Sequence, residues 1–284
     1  MSGDVLSEHA AAKVNLTLRV GPARGDGYHP LDSLVVFADW GDRVEVRPAS
    51  GLMLTLSGEA SRTLPADGSN LVLQAARALQ AESGIADGAM IRLDKQIPIE
   101  AGLGGGSADA AATLRALNRM WGLDWPLDRL AEIGLRLGAD VPACLYSRPL
   151  RMRGIGEWID ILPSFDAFDA VILNPGIPVP TGPIFKAFDA ADPAPVADSW
   201  PMAEDRLDWL RGERNDLEAP AIERHPEIRS ALDWLNTCAG VTLARMSGSG
   251  ASCFALCVDR GTAEAVADAY DGFAVAVRLD GSVR

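Results

Sequence analysis

From Pro98 to Ala111 the chain reads Pro-Ile-Glu-Ala-Gly-Leu-Gly-Gly-Gly-Ser-Ala-Asp-Ala-Ala, with Gly102, Gly104, Gly105 and Gly106 inside five positions. Glycine removes the β-carbon and permits positive φ, so such a run lets a backbone wrap closely around a ligand. An isolated glycine cluster is more often a turning linker, but the flanks argue for a built loop. Met90 to Asp94 predicts a strand, and the alanine-rich segment from about Ser107 to Met120 predicts a helix. A loop that opens into a helix presents unpaired N–H groups and the positive end of the macrodipole, which favours a bound anion. The chemistry this suggests is the holding of a phosphate chain with few cationic side chains. No Lys follows the glycines and position 107 is Ser, so the run is neither a P-loop nor a dinucleotide fingerprint.

The elements that must carry this loop are mixed. Val14, Leu16, Leu18 and Val20 alternate with Lys13, Asn15, Thr17 and Arg19, which predicts a half-buried strand from Lys13 to Val20. Strand-like runs follow at Leu34 to Phe37, Arg43 to Arg47 and Leu52 to Leu56, separated by Gly, Asp and Pro. Ser69 or Asn70 can cap a helix running through Glu82, with Gly84 just beyond its end. A helix from about Leu127 to Leu137 stops at Gly138, which leaves Asp140 in a loop. Strands at Trp158 to Leu162 and Ala170 to Asn174, helices near Arg206 to Arg211, Asp216 to Pro220 and Glu227 to Asn236, a strand from Ser252 to Val258, a helix from Thr262 to Tyr270 and a last strand complete the reading. The stretch from Asp189 to Asp205, rich in Ala, Asp and Pro, reads as a surface loop. The pattern is α+β, with a domain change near Gly154 to Gly156 that gives units of residues 1–154 and 155–284.

Composition narrows the class. The 284 residues are 48% hydrophobic and 23% charged, enough for two modest cores. The net charge of −13 argues against a nucleic-acid or anionic-membrane binder, since that affinity comes from Lys and Arg neutralising phosphates. No apolar stretch approaches the roughly 20 residues of a membrane span, and Asp4 and Glu8 stand where a signal peptide would be basic, so a cytoplasmic protein is expected. Cys144, Cys238, Cys253 and Cys257 form no CxxC pair and share no zinc-like spacing with His9, His29 or His225, and read as reduced core residues.

Three ordered segments carry a resemblance. Pro98-x3-Gly102-Leu103-Gly104-Gly105-Gly106-Ser107 resembles the second motif of the GHMP kinases, Ala12-Lys13-Val14-Asn15-Leu16 the first, and Met246-Ser247-Gly248-Ser249-Gly250-Ala251 the third. Glu100 departs from the pattern, where relatives often carry a small residue. Within the superfamily, Gly25-Asp26-Gly27-Tyr28-His29-Pro30-Leu31 is similar to a segment of the members that act on a cytidine-diphosphate-linked polyol. Leu137-Gly138-Ala139-Asp140-Val141-Pro142 matches their catalytic-aspartate segment, and Pro180-Thr181-Gly182-Pro183-Ile184-Phe185 resembles their substrate-domain segment, with Gly182 a variation. The resemblance implies a two-domain GHMP kinase fold with its active site in the cleft between domains. It implies transfer of the γ-phosphate of ATP, with Mg²⁺, to a hydroxyl in the non-mevalonate route to isoprenoid precursors. No nucleic-acid, membrane or protein partner is evident.

Roles follow residue by residue. Phosphoryl transfer to an alcohol asks for in-line positioning, charge neutralisation and a proton acceptor. Asp140 is the candidate base, and Lys13 could hold it ionised and offset developing negative charge. Pro98, Gly102, Leu103, Gly104, Gly105, Gly106, Ser107 and Ala108 would bind ATP, with the third loop, Ser247, Gly248, Ser249 and Gly250, close by. By resemblance His29 contacts the cytosine, Tyr28 and Phe185 flank its ring, and Asn15 and Thr181 meet the polyol diphosphate. Phe185 reads equally well as core, and Asp140 also fits a helix-end cap. The rival readings are another GHMP alcohol kinase, of homoserine or mevalonate type, and a GHMP-like binding protein without turnover.

Overall fold

The computed structural model describes residues 5–196 and 206–280. In chain order the elements are β1 (Leu6–Asn15), β2 (Arg19–Val20), β3 (Leu31–Ala49), β4 (Leu52–Ser57), α1 (Leu71–Ser83), β5 (Gly88–Asp94), α2 (Gly105–Met120), α3 (Leu127–Leu137), α4 (Val141–Tyr146), β6 (Leu150–Gly154) and β7 (Trp158–Ile161). They continue with β8 (Phe168–Asn174), α5 (Thr181–Asp189), α6 (Arg206–Gly212), α7 (Glu218–Arg224), α8 (Pro226–Thr237), β9 (Val241–Met246), β10 (Cys253–Cys257), α9 (Arg260–Ala269) and β11 (Phe273–Leu279).

The spine is β3. Its first half pairs with β2 and β6, its second half with β5, and β1 runs antiparallel along most of its length. Its apolar run Leu34 to Ala38 feeds two cores because alternate side chains leave opposite faces of a strand. Val35 and Phe37 pack under α1 and α2, while Leu34, Val36 and Ala38 join Ile172, Phe254 and Val277. Cys253 and Cys257 fill one face of β10, buried as expected, and all four cysteines are free.

Two expected strand patterns differ in the structure. The runs at residues 34–37 and 43–47 are one strand, because neither Gly41 nor Asp42 ends it. Gly41 lets β1 pass so close that a β-carbon there would collide with the Ala10 carbonyl. The buried Asp42 accepts backbone N–H bonds from Gln96 (2.5 Å) and Ile97 (2.8 Å), so it is satisfied inside the sheet. The expected strand from Lys13 to Val20 instead ends at Asn15, where Leu16 N–H donates to Leu34 O and the chain bends before β2. β6, β9 and α4 were not anticipated. The helix beginning near Asp216 starts at Glu218.

The expected division at residue 154 falls on the β6–β7 turn. β7 pairs with β6 in the first sheet, whereas β8 pairs with β10 and β11, and β11 meets β3 through the single pair Leu279↔Ala38. A third core, including Leu173, Ile184, Leu217 and Leu232, lies under α5, α7 and α8. Of the loop expected from Asp189 to Asp205, Asp189 closes α5, residues 190–196 are non-helical, and 197–205 lie outside the described residues.

Candidate active site

The glycine run leaves β5 and enters α2 as expected. Gly104, left-handed at φ +63, caps the helix, and the first intrahelical bond is Ala108 N–H to Gly104 O at 2.8 Å. The amides of Gly105, Gly106 and Ser107 therefore precede the helix's own bonding. These residues, with Pro98, Gly102 and Gly104, border a cavity of about 900 Å³, at the upper end of the range for small-molecule sites. Leu103 and Ala108 do not border it. Both are buried in the cores, and the Ala108 amide is already taken by the helix. Glu100 is exposed at φ +52 on the cavity edge, and its carbonyl accepts from Val179 N–H at 3.3 Å.

The second glycine loop lies against the first. A β-carbon on Gly102 would run into the Ser247 carbonyl and come 2.8 Å from Gly250 O, while one on Gly248 would lie 2.8 Å from Gly102 O. Both glycines are at positive φ, so close approach and conformation each demand glycine. Ser247 is a brace and does not face the cavity: its buried hydroxyl accepts from Asn15 N–H (3.1 Å) and donates to Gly102 O (3.0 Å). Gly248 and Ser249 border the cavity, and the Ser249 hydroxyl lies 2.9 Å from that of Thr181 at the start of α5.

At the centre, Lys13 Nζ donates to Asp140 Oδ1 at 2.8 Å and to Asn15 Oδ1 at 3.1 Å. Lys13 is almost fully buried at the end of β1, and its stem runs beneath Gly104, whose β-carbon would meet Lys13 Cε at 3.1 Å. Asn15 passes its amide N–H to Ser33 Oγ at 2.7 Å, so its side chain holds Lys13 in place. Asp140 occupies the turn between α3 and α4, makes no capping bond and is about one-third exposed toward the cavity. The β6–β7 turn supports that position, since a β-carbon on Gly156 would lie 2.6 Å from Ala139 O.

Toward the start of α1 the cavity is bordered by Leu64, Pro65 and Asn70, and beside them lies a buried charge cluster. Lys95 Nζ donates to Asp109 Oδ2 at 2.8 Å and also to Asp42, all three being at most 3% exposed. Burial works against the Lys95 ammonium, but the carboxylates of Asp109 and Asp42 more than offset it and raise its pKa. Burial pushes the Asp109 carboxyl up to about 8, and its Oδ1 has no partner. A β-carbon on Gly105 would lie 2.9 Å from Lys95 Nζ, so this cluster sits directly behind the phosphate loop.

The opposite end is aromatic. In the turn from Arg24 to Tyr28, Asp26 Oδ1 accepts Tyr28 N–H at 3.1 Å and Gly27 takes φ +83. Tyr28 stands exposed at the rim. The His29 ring lies 4.6 Å from that of Phe185, which is half-buried and borders the cavity, while Ile184 and Phe188 are the core residues of α5.

Residues 70–148 match the GHMP kinases N terminal domain and residues 202–275 the GHMP kinases C terminal domain. The chain is 48% identical over 281 residues to the 4-diphosphocytidyl-2-C-methyl-D-erythritol kinase of Hyphomonas neptunium, covering 93% of each. The chain belongs to this family of GHMP kinases. A crystal structure of 4-(cytidine 5'-diphospho)-2C-methyl-D-erythritol kinase superposes with a TM-score of 0.81 at 35% identity, over 98% of this chain and 100% of that one. Homoserine kinase from Cytophaga hutchinsonii, at TM-score 0.66 and 20% identity over 98% and 95% of the two chains, shares the fold alone.

In this GHMP kinase the expected residues Lys13, Asn15, Tyr28, His29, Asp140, Thr181 and Phe185 border the same cavity as the glycine loop. Sequence reading did not place Lys95, Asp109 or Asp189 at the site, and it read Asn70 only as a helix cap. Lys95 carried a faint signal, as a lysine between a strand and a phosphate loop. Asp109 carried none, because an aspartate in an alanine-rich helix reads as a solvent-facing residue.

Proposed function

We infer that this chain is an ATP-dependent kinase that transfers the γ-phosphate to the 2-hydroxyl of 4-diphosphocytidyl-2-C-methyl-D-erythritol. The observation that carries the reading is the Lys13–Asp140 pair at 2.8 Å, set between a helix-mounted glycine loop and the His29–Phe185 aromatic end of one cavity. The amides of Gly105, Gly106 and Ser107 hold the phosphate chain at the positive end of α2. Asp140 accepts the proton of the attacking hydroxyl, and Lys13 orients that carboxylate and offsets charge as it develops. Tyr28 and Phe185 offer faces for a base, and His29 offers a nitrogen to its edge.

Mg²⁺ accompanies the nucleotide in this reading. Oxygen donors suited to a hard cation border the cavity at Ser107 and Asp140, and a β-carbon on Gly138 would lie 3.7 Å from Ser107 Oγ, so the two segments are adjacent. When bound, the ion would neutralise β- and γ-phosphate charge. We divide the chain after Ile161, because β7 completes the first sheet, and we place the protein in the cytoplasm. No helix among the described residues is long and apolar enough to cross a membrane.

The test is ADP release by the purified protein with ATP, Mg²⁺ and a panel of alcohols. Turnover is expected with the cytidine-diphosphate methylerythritol. Equal or greater activity on homoserine or mevalonate overturns the substrate, and no turnover on any alcohol overturns the catalytic reading.

A further inference from the structure

His29 and Asp189 come from chain positions 160 apart and meet at the cavity rim, with His29 Nε2 2.8 Å from Asp189 Oδ1. The imidazole side chain is only 9% exposed. The ring of Phe185 lies tilted at 41° against it, and Phe188 presents a T-shaped contact at 6.3 Å. Phe185, Phe188 and Asp189 all belong to the last five residues of α5, so one helical turn sets both the plane of the imidazole and the partner of one of its nitrogens.

An ionised carboxylate is an acceptor only, so the nitrogen facing Asp189 carries the hydrogen. In the neutral ring the other nitrogen, Nδ1, is then a lone-pair acceptor, and the bond made by the first nitrogen decides what the second can recognise. We propose that Asp189 is a positioning residue that fixes the Nε2–H tautomer of His29, and that Nδ1 thereby selects cytosine over uracil through the group at position 4. The inference rests on the reading that the aromatic end of the cavity receives the pyrimidine of the substrate.

Cytosine carries an amino group at position 4 and uracil a carbonyl. An acceptor held against the amine gains a hydrogen bond. Against the carbonyl it faces a second acceptor, and two partly buried lone pairs are left unpaired. Phe185 and Phe188 restrict rotation of the imidazole, which keeps this a discrimination by geometry. With Nδ1 protonated the preference would reverse, so the choice of base resides in a carboxylate that need not touch the base.

Two measurements on the whole protein test this. Long-range ¹H–¹⁵N spectra of the imidazoles, with His29 assigned by its loss in His29→Ala, report which nitrogen bears the hydrogen. Steady-state kinetics with the cytidine-linked substrate and its uridine-linked counterpart report the preference. In the wild-type protein we expect hydrogen on Nε2 alone and a lower KM for the cytidine compound. Asp189→Ala, at a partly exposed helix end, is expected to fold with an unchanged Tm and to lose the single-tautomer signature. It should also raise the cytidine KM by about tenfold, the scale of one hydrogen bond, and shrink the cytidine-to-uridine preference by a similar factor, with the KM for ATP unmoved. Hydrogen on Nδ1 in the wild type, or equal KM increases for both pyrimidines, or no change in either, overturns the proposal. Tautomer control without any pyrimidine preference overturns the selection step, and turnover of neither compound overturns the substrate reading beneath it.

Discussion

Lys13–Asp140 and His29–Asp189, two of the nitrogen–carboxylate pairs that border the cavity, stand at the same separation, 2.8 Å. Their surroundings differ. Lys13 is held by Asn15 on its own strand, its backbone N–H donates to Leu103 O, and the aspartate sits on a turn backed by the β6–β7 hairpin. His29 leaves a turn closed by local bonds around Gly27 and rests on two aromatic rings of one short helix. Equal distance therefore does not mean equal rigidity. The pair fixed from several elements suits a step in which a small misplacement is costly, and the pair fixed from one helix suits recognition.

Breaking each pair should separate chemistry from recognition. Asp140→Asn keeps the shape and removes the base, so kcat should fall by about 100-fold or more with ATP affinity preserved; near-normal turnover removes Asp140 from this role. His29→Ala leaves a base edge unpaired, and at about 1–3 kcal/mol it should raise the KM of the cytidine substrate severalfold to a hundredfold while leaving that for ATP. A fall in Tm with both KM values perturbed alike would show that His29 only braces its turn. Gly105→Val pushes a branched side chain toward Lys95 Nζ and crowds the phosphate loop, so nucleotide affinity should drop by about tenfold; unchanged affinity means the loop is misassigned.

The smallest effect sharpens the contrast with a third carboxylate. Asp109, unlike Asp140 and Asp189, is buried, and its pKa is raised from 3.8 to about 8. The folded state therefore holds a proton that the unfolded state releases, and the stability this contributes is complete below about pH 4 and lost as pH rises through about 8. Asp109→Asn cannot release that proton. Its urea midpoint, compared with the wild type at pH 5.5 and pH 8.5, should improve at the higher pH, and a constant difference would count against the assignment.

Much of this was legible because it was local. The cap at Asn70, the stop at Gly84 and the helix Leu127–Leu137 lie where side-chain chemistry and periodicity put them. The phosphate loop was legible for the same reason, since glycines, strand and helix are contiguous. Residues whose roles depend on distant partners were not. Asp42 looked like the end of a strand because nothing nearby reveals that Gln96, Ile97 and Lys95 will satisfy it. Asp189 looked like the edge of a loop because His29 is remote in sequence. Asn15 was expected at the ligand and Ser247 in a loop close by, and the structure spends their polar atoms largely on other residues of the site.

The bond from Asn15 N–H to Ser247 Oγ spans 232 positions, that from Ser247 to Gly102 spans 145, and Lys13 to Asp140 spans 127. Contacts so far apart reward the chain only after long loops have closed, and such closures come slowly. The helices and hairpins can form from neighbouring residues, but the catalytic geometry exists only when segments near both ends of the described chain have met. The site thus exists only where distant segments of the chain have met, and no helix or hairpin by itself can supply it.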